Sequence, residues 1–307
     1  MVNLVRMRRM TKSRGVWTLS IAFFVALLGC SSGGRIVIGS KNFTEQIILG
    51  ELLAQHIETQ TDLTVDRRLN LGGTFVCHAG LIAGQLDIYV EYTGTALVAI
   101  LKEPLSNDRE FVLTEVSERY ADQFDVEWSE PLGFNNTFAI IVRADTARAL
   151  DIKTISAAVM YARNWKAGFG YEFFEREDGF SGLAATYNLH FSELPRVMDL
   201  GLTYRALADG EVDLIAGNST DGLIDSLDLV TLEDDRGFFP PYDAVPIIRS
   251  EILKAYPEVR NALSLLKGTI TEDDMRRMNY RVDGKRESVQ VVVSDFRKEK
   301  GLKHVNR

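Results

Sequence analysis

RIVIGSKNFTEQIILGELLAQHIETQTDLTVDRRLNLGGTFVCHAGLIAGQLDIYV, residues 35–90, decides the fold class. It opens on a short run rich in β-branched residues, Arg35 to Gly39, which predicts a strand. Asn42 and Glu45 then stand at capping-box spacing ahead of a helix. Leu49, Leu53 and Ile57 recur every four residues in that helix, with Ile48 and Leu52 beside them, so one face is apolar. Leu63 to Asn70 predicts a second strand. Gly72-Gly73-Thr74 leads into a short helix over residues 75–84, and Leu86 to Val90 predicts a third strand. The alternation β-α-β-α-β predicts an α/β lobe with a mainly parallel sheet.

A second series begins at Phe138. Strands are predicted over 138–142, 166–168 and 212–216, with helices over 154–162, 181–188 and 203–209. The C-terminal part returns to strand at 245–248, then to helices over 258–266, 272–279 and 286–300. No internal repeat and no proline-rich linker separates the two series. Two such series without a flexible joint predict two lobes connected by crossover strands, with a binding cleft where strand ends and helix N-termini converge.

Composition excludes several classes. The chain has 307 residues, is 46% hydrophobic and 25% charged, and carries a formal charge of −8. That is globular rather than disordered, and its acidity argues against nucleic acid as a partner. Two cysteines provide no disulfide framework. The N-terminus is of another kind. Arg6, Arg8, Arg9, Lys12 and Arg14 precede an apolar run from Val16 to Gly29, too short to span a bilayer comfortably. Leu27-Leu28-Gly29-Cys30 follows in register and resembles a bacterial lipoprotein signal. It implies a signal peptide over residues 1–29, lipid on Cys30 and a short tether over 30–35. Cys77 is then unpaired and expected as a small buried residue.

Several chemistries are missing. There is no Walker loop and no dinucleotide fingerprint. Ser219 in GNSTDG fails the nucleophile-elbow pattern because Asp221 replaces its last glycine. The histidines at 56, 78, 190 and 304 lack metal-ligand spacing. We therefore expect no cofactor, no metal and no catalytic constellation.

What stands out instead is a set of loops rich in Asn, Thr, Gly and aromatics: SKNFTEQ (40–46), NLGGTF (70–75), EYTGT (91–95), LGFNNTF (132–138), YEFFERED (171–178), GNSTDG (217–222) and GFFPPYDAVP (237–246). Most follow a predicted strand or precede a helix, where backbone N–H groups, hydroxyls and ring faces meet a small ligand. In these motifs, from about Arg35 to about Phe296, the chain resembles the substrate-binding lipoproteins of ABC importers for glycine betaine, choline and related osmoprotectants.

The resemblance implies a two-lobe α/β type II periplasmic-binding-protein fold, each lobe a mixed, mainly parallel sheet flanked by helices, and no enzymatic activity. Lobe one would comprise 36–128 and 231–296, lobe two 129–230, and a tail 297–307. It also implies a monomer outside the cytoplasm, lipid-anchored to a bacterial membrane, that delivers its ligand to a permease and its ATPase. An ammonium cage would fall on Tyr92, Phe138, Asn218 and Tyr242, since a quaternary ammonium is held by ring faces. A carboxylate clamp would fall on Lys41, Thr95 and Arg176. The fourth cage position departs from the family, because Asn218 has no ring and instead donates and accepts hydrogen bonds. Two alternatives stay open: another zwitterion, ergothioneine-like or derived from an amino acid, or a surface lipoprotein for sensing or adhesion.

Overall fold

The computed structural model describes residues 34–302; the signal-like segment, Cys30, most of the tether and residues 303–307 lie outside them. Two five-stranded sheets organise the described chain. The first has the order β2-β1-β3-β10-β4, with β1 Arg35–Lys41, β2 Thr64–Gly72, β3 Ile88–Tyr92, β4 Val126–Trp128 and β10 Ala244–Arg249. The second has the order β7-β6-β8-β5-β9, with β5 Phe138–Arg143, β6 Ala167–Phe169, β7 Arg196–Val197, β8 Leu214–Asn218 and β9 Leu229–Leu232.

Both sheets are mixed and flanked by helices, as the two-lobe fold implies, with as many antiparallel as parallel pairings. β1 runs parallel to β2 and β3, whereas β10 is antiparallel to β3 and β4. In the second sheet β6 is parallel to β7 and β8, and β5 is antiparallel to β8 and β9. The reason is topological. β5 and β10 enter their sheets directly from the other lobe, so they start at the edge where the parallel strands end.

Helix α1, Thr44–Gln60, buries Ile48, Leu49, Leu52, Leu53 and Ile57 completely against the first sheet. That is the face its four-residue periodicity predicts. Its N-terminus differs from expectation. The N-cap is Phe43, without a side-chain cap, so Asn42 and Glu45 form no capping box. Helix α2, Thr74–Ile82, starts from Gly73 and carries Cys77 inward; burial pushes that thiol up to about 12. The terminal helices Glu272–Asp283 and Val289–Glu299 return to the first lobe and join its core through Met275, Met278, Val292, Val293 and Phe296. The last helix is capped by Ser288 rather than starting at Arg286, and it runs past the expected start of the tail at 297. A separate core fills the second lobe around Ile140, Phe169, Leu183 and Leu214.

The expected lobe border at 230/231 is corrected by β9. Thr231 and Leu232 pair with Ile141 and Ile140, and Glu233 bridges to Thr154, so the second lobe extends beyond Leu232. Helix Arg109–Phe124, which no sequence expectation covered, closes the first lobe with a narrow stripe of Val112, Val116 and Tyr120.

The chain passes between the sheets over residues 129–137 and 233–243, and the two passages lie side by side. Leu132 N–H donates to the Ala244 carbonyl at 2.9 Å, and Asn136 N–H to the Tyr242 carbonyl at 3.0 Å. Gly133 sits in this joint at φ +119, where a Cβ would lie 2.7 Å from both Gly268 Cα and the Ile270 carbonyl oxygen. Such a conformation costs an ordinary residue about 1–3 kcal/mol before any overlap is counted. We expect Gly133→Ala to lower stability by at least that amount in urea unfolding; an unchanged midpoint would show that the joint tolerates a side chain.

Candidate ligand-binding site

The topology places the site. β1 ends at Lys41, β3 at Tyr92, β6 at Phe169 and β8 at Asn218, while β5 begins at Phe138 and Tyr242 lies just before β10. Lys41, Tyr92, Phe138, Asn218 and Tyr242, with Gly170 just after β6, line a cavity of about 190 Å3. All seven residues expected for the cage and the clamp line it: Lys41, Tyr92, Thr95, Phe138, Arg176, Asn218 and Tyr242. Phe43, Asn136, Glu172 and Phe173 line it too and were not singled out from the sequence. Each lies inside one of the quoted loops, two to four positions from a residue that was.

The rings contact one another in two sets that line the same cavity. Phe138 meets Phe173 edge-on at 4.9 Å and Tyr242 at 5.7 Å between centroids, and Phe43 stacks on Tyr92 at 6.4 Å. Two protein cations lie over them. Arg176 Cζ is 5.1 Å from the Phe138 centroid and 6.0 Å from that of Tyr242; Lys41 Nζ is 5.1 Å from that of Tyr92.

Neither cation is a free charge. Lys41 Nζ pairs with Glu91 at 2.6 Å and donates to Thr74 Oγ1 at 2.9 Å. Arg176 Nε donates to Asp178 Oδ1 at 2.8 Å, and Nη2 donates both to Asp178 Oδ2 and to Thr95 Oγ1, the latter at 3.1 Å. The four side chains of these two pairs are at most 4% exposed. Burial demands such pairing, because an isolated ion there would be strongly destabilising. Each cation also stacks on a ring, so the residues expected for the cage and for the clamp lie against one another in one cavity wall.

Glu45 has the reverse problem. It is 1% exposed, and no cation among the described residues pairs with it. Four neutral donors hold its carboxylate instead: Tyr92 Oη at 2.6 Å, Asn136 Nδ2 at 2.7 Å, Asn279 Nδ2 at 3.3 Å, and Thr220 Oγ1. Burial outweighs those bonds and raises its pKa to about 7, with the Asp221 charge adding to the rise.

Several contacts cross between the lobes and hold the cleft shut. Glu172, from helix Tyr171–Glu175 of the second lobe, accepts from the Thr74 backbone N–H at the start of α2. That amide belongs to an unsatisfied helix end, where a carboxylate is favoured. Thr220 reaches Glu45 on α1, its carbonyl accepts from Asn279 at 2.9 Å, and Arg176 reaches Thr95.

Two α/β lobes, two paired crossovers and an aromatic cavity between strand ends define a type II periplasmic binding protein. Residues 34–299 match the family described as the substrate binding domain of ABC-type glycine betaine transport systems, and the chain belongs to that family. It is 38% identical over 268 residues to the ergothioneine transport permease/ergothioneine binding protein of Helicobacter pylori (strain G27), covering 87% of this chain and 48% of that one. This chain thus spans about half the length of that relative. It is 37% identical over 271 residues to a carnitine transport binding protein of Listeria monocytogenes, covering 88% of each chain. The crystal structure of a glycine betaine/carnitine/choline ABC transporter superposes with a TM-score of 0.73 at 31% identity, covering 87% of this chain and 99% of that one.

The buried Glu45 makes a pH prediction. Its pKa is raised from 4.5 to about 7 on folding, so between those values the folded state binds more protons than the unfolded one. Its contribution to stability is therefore greatest below pH 4.5 and is lost as the pH rises toward 7, at up to about 1.4 kcal/mol per unit. Urea unfolding from pH 5 to 8 should show Glu45→Gln gaining on the wild type as pH increases. A constant difference between the two would contradict the assignment.

Proposed function

We propose that this protein captures a quaternary-ammonium compatible solute, of the glycine betaine or choline type, in the interlobe cleft and delivers it to an ABC permease. The observation that carries the reading is the cavity wall. Tyr92, Phe138 and Tyr242, with Phe43 and Phe173 beside them, gather ring faces around one small space. A trimethylammonium group has no hydrogen to donate, so ring faces are the wall that suits it. Phe138 takes the place at which the family often has tyrosine and offers the same face without a hydroxyl. Arg176 and Thr95 serve the ligand's oxygen end, Arg176 through N–H groups additional to those bound by Asp178, while Lys41, paired with Glu91, backs the Tyr92 ring.

Asn218 favours a second reading. In place of a fourth ring it brings an amide, which suits a zwitterion with hydrogen-bonding groups of its own, such as an ergothioneine-like betaine. The name of the Helicobacter pylori relative points the same way.

The protein works outside the cytoplasm as a monomer, anchored by lipid on Cys30, with the permease and its ATPase as partners. No helix among the described residues is long and apolar enough to cross a membrane. Shutting the cleft around the solute would make the contacts of Glu172, Arg176 and Thr220 part of the form the permease meets.

Melting curves with millimolar glycine betaine, choline, carnitine, ergothioneine and plain amino acids test the ligand class. A ligand at about 100 times its Kd adds roughly 2.7 kcal/mol. Trimethylammonium compounds should raise the melting temperature and plain amino acids should not; no shift from any of the former would overturn the reading. Phe138→Ala should weaken binding by roughly 2–30-fold, the equivalent of about 0.5–2 kcal/mol for one ring face. Cys30→Ala should move the protein from the membrane fraction to the soluble one, and retention in the membrane would refute the lipid anchor.

A further inference from the structure

We infer that Asn218, oriented by Asp221, reads a hydrogen-bond donor on the ligand, so that the favoured solute carries an O–H or N–H group close to its quaternary nitrogen. This rests on the quaternary-ammonium reading above and narrows it.

β8 ends at Asn218, directly opposite Phe138 on β5, so amide and ring stand side by side at the cleft. Ala216, two residues earlier on the same strand face, lines the cavity as well and leaves room beside the amide. The amide is not free to turn. Asn218 backbone N–H donates to Asp221 Oδ2 at 2.9 Å, and Nδ2 faces the same oxygen at 3.4 Å. Rotating the amide by half a turn would set Oδ1 against that carboxylate, acceptor against acceptor.

Asp221 is fixed in turn by the Tyr204 hydroxyl. Tyr204 is 2% exposed and packs among Ala139, Ile141 and Ile215 behind the sheet. Gly217 lets that hydroxyl approach, since a Cβ there would lie 1.9 Å from it. With Nδ2 committed to Asp221, Oδ1 is left as an acceptor in a side chain that lines the cavity. No group among the described residues donates to it. A ring at this position would present a π face; Asn218 presents a lone pair, and a ligand hydroxyl or ring N–H satisfies it.

Choline and its methyl ether test this directly, because they share the trimethylammonium head and differ in the donor. One neutral hydrogen bond, set against an acceptor left unpaired, corresponds to about a tenfold preference. Titration calorimetry should show wild-type protein binding choline about tenfold more tightly than the ether. Asn218→Leu should reduce the preference below about twofold. Asp221 acts as a positioning residue, so Asp221→Asn should give an intermediate ratio, whereas a purely structural role would weaken both ligands alike and leave the ratio unchanged. Melting temperatures of the ligand-free variants check that each folds. Equal affinities in the wild type, or a full preference surviving in Asn218→Leu, would overturn the inference. Glycine betaine, which has no such donor, is the control. If it binds and the ether matches choline, the quaternary-ammonium reading stands and this inference alone falls. If none of the three binds, both fall.

Discussion

A charge taken out of water between two lobes must find its opposite or be surrounded by donors, and the site is arranged around that requirement. Lys41 and Glu91 meet within one lobe, and Arg176 and Asp178 within the other. Each pair is settled locally, so the lobes can separate without stranding an unpaired buried ion. What passes between the lobes is mostly weaker: the Thr220 hydroxyl to Glu45, the Arg176 guanidinium to the Thr95 hydroxyl, the Thr74 amide to Glu172. Bonds of this kind are worth about 1–3 kcal/mol each. That suits an interface that has to open and shut, since the ligand's own contacts then decide the balance.

The second constraint is the joint. Two passages hydrogen-bonded side by side leave the lobes little freedom except bending across the pair. They also explain why the sheets are mixed and why the site lies where it does. A strand arriving from the other lobe must begin at the cleft, so Phe138 and Tyr242 are brought there by chain direction. The parallel strands deliver Lys41, Tyr92 and Asn218 to the same edge from the other sense. Cage and joint are consequently one structure. Asn136, which lines the cavity and donates to Glu45, lies in the first passage and is tied by its N–H to Tyr242.

Much of this was legible in the sequence, because the strand and helix periods of residues 35–90 and the loops between them are local signals. The candidate site residues were taken from those loops, and they line one cavity. What escaped was long-range. Glu45 stands at capping-box spacing, and spacing alone does not distinguish a cap from a buried carboxylate whose donors come from residues 92, 136, 220 and 279. The partner of Lys41 lies 50 residues away. Asp178 is only two residues from Arg176, yet in a charged stretch nothing marks it as that residue's counter-ion. The lobe border was set two residues short because no strand was expected over β9, Leu229–Leu232. Helix Arg109–Phe124 was missed because three apolar positions make a thin stripe among charges.

Magnitudes decide what the absent fourth ring means. A ring face in contact with an ammonium is worth about 0.5–2 kcal/mol. A hydrogen bond from a ligand donor to Asn218 Oδ1 contributes about 0.5–1.5 kcal/mol, and leaving that oxygen buried and unpaired costs about 1–3 kcal/mol. The exchange of ring for amide is therefore nearly neutral in affinity for a ligand with a donor and adverse for one without. A ring at this position would discriminate among trimethylammonium compounds chiefly by size. An amide held by Asp221 discriminates by chemistry, because the penalty for a mismatch falls on the protein's own unpaired acceptor. Replacing one wall thus turns a site that recognises a charge into one that also recognises what is attached to it.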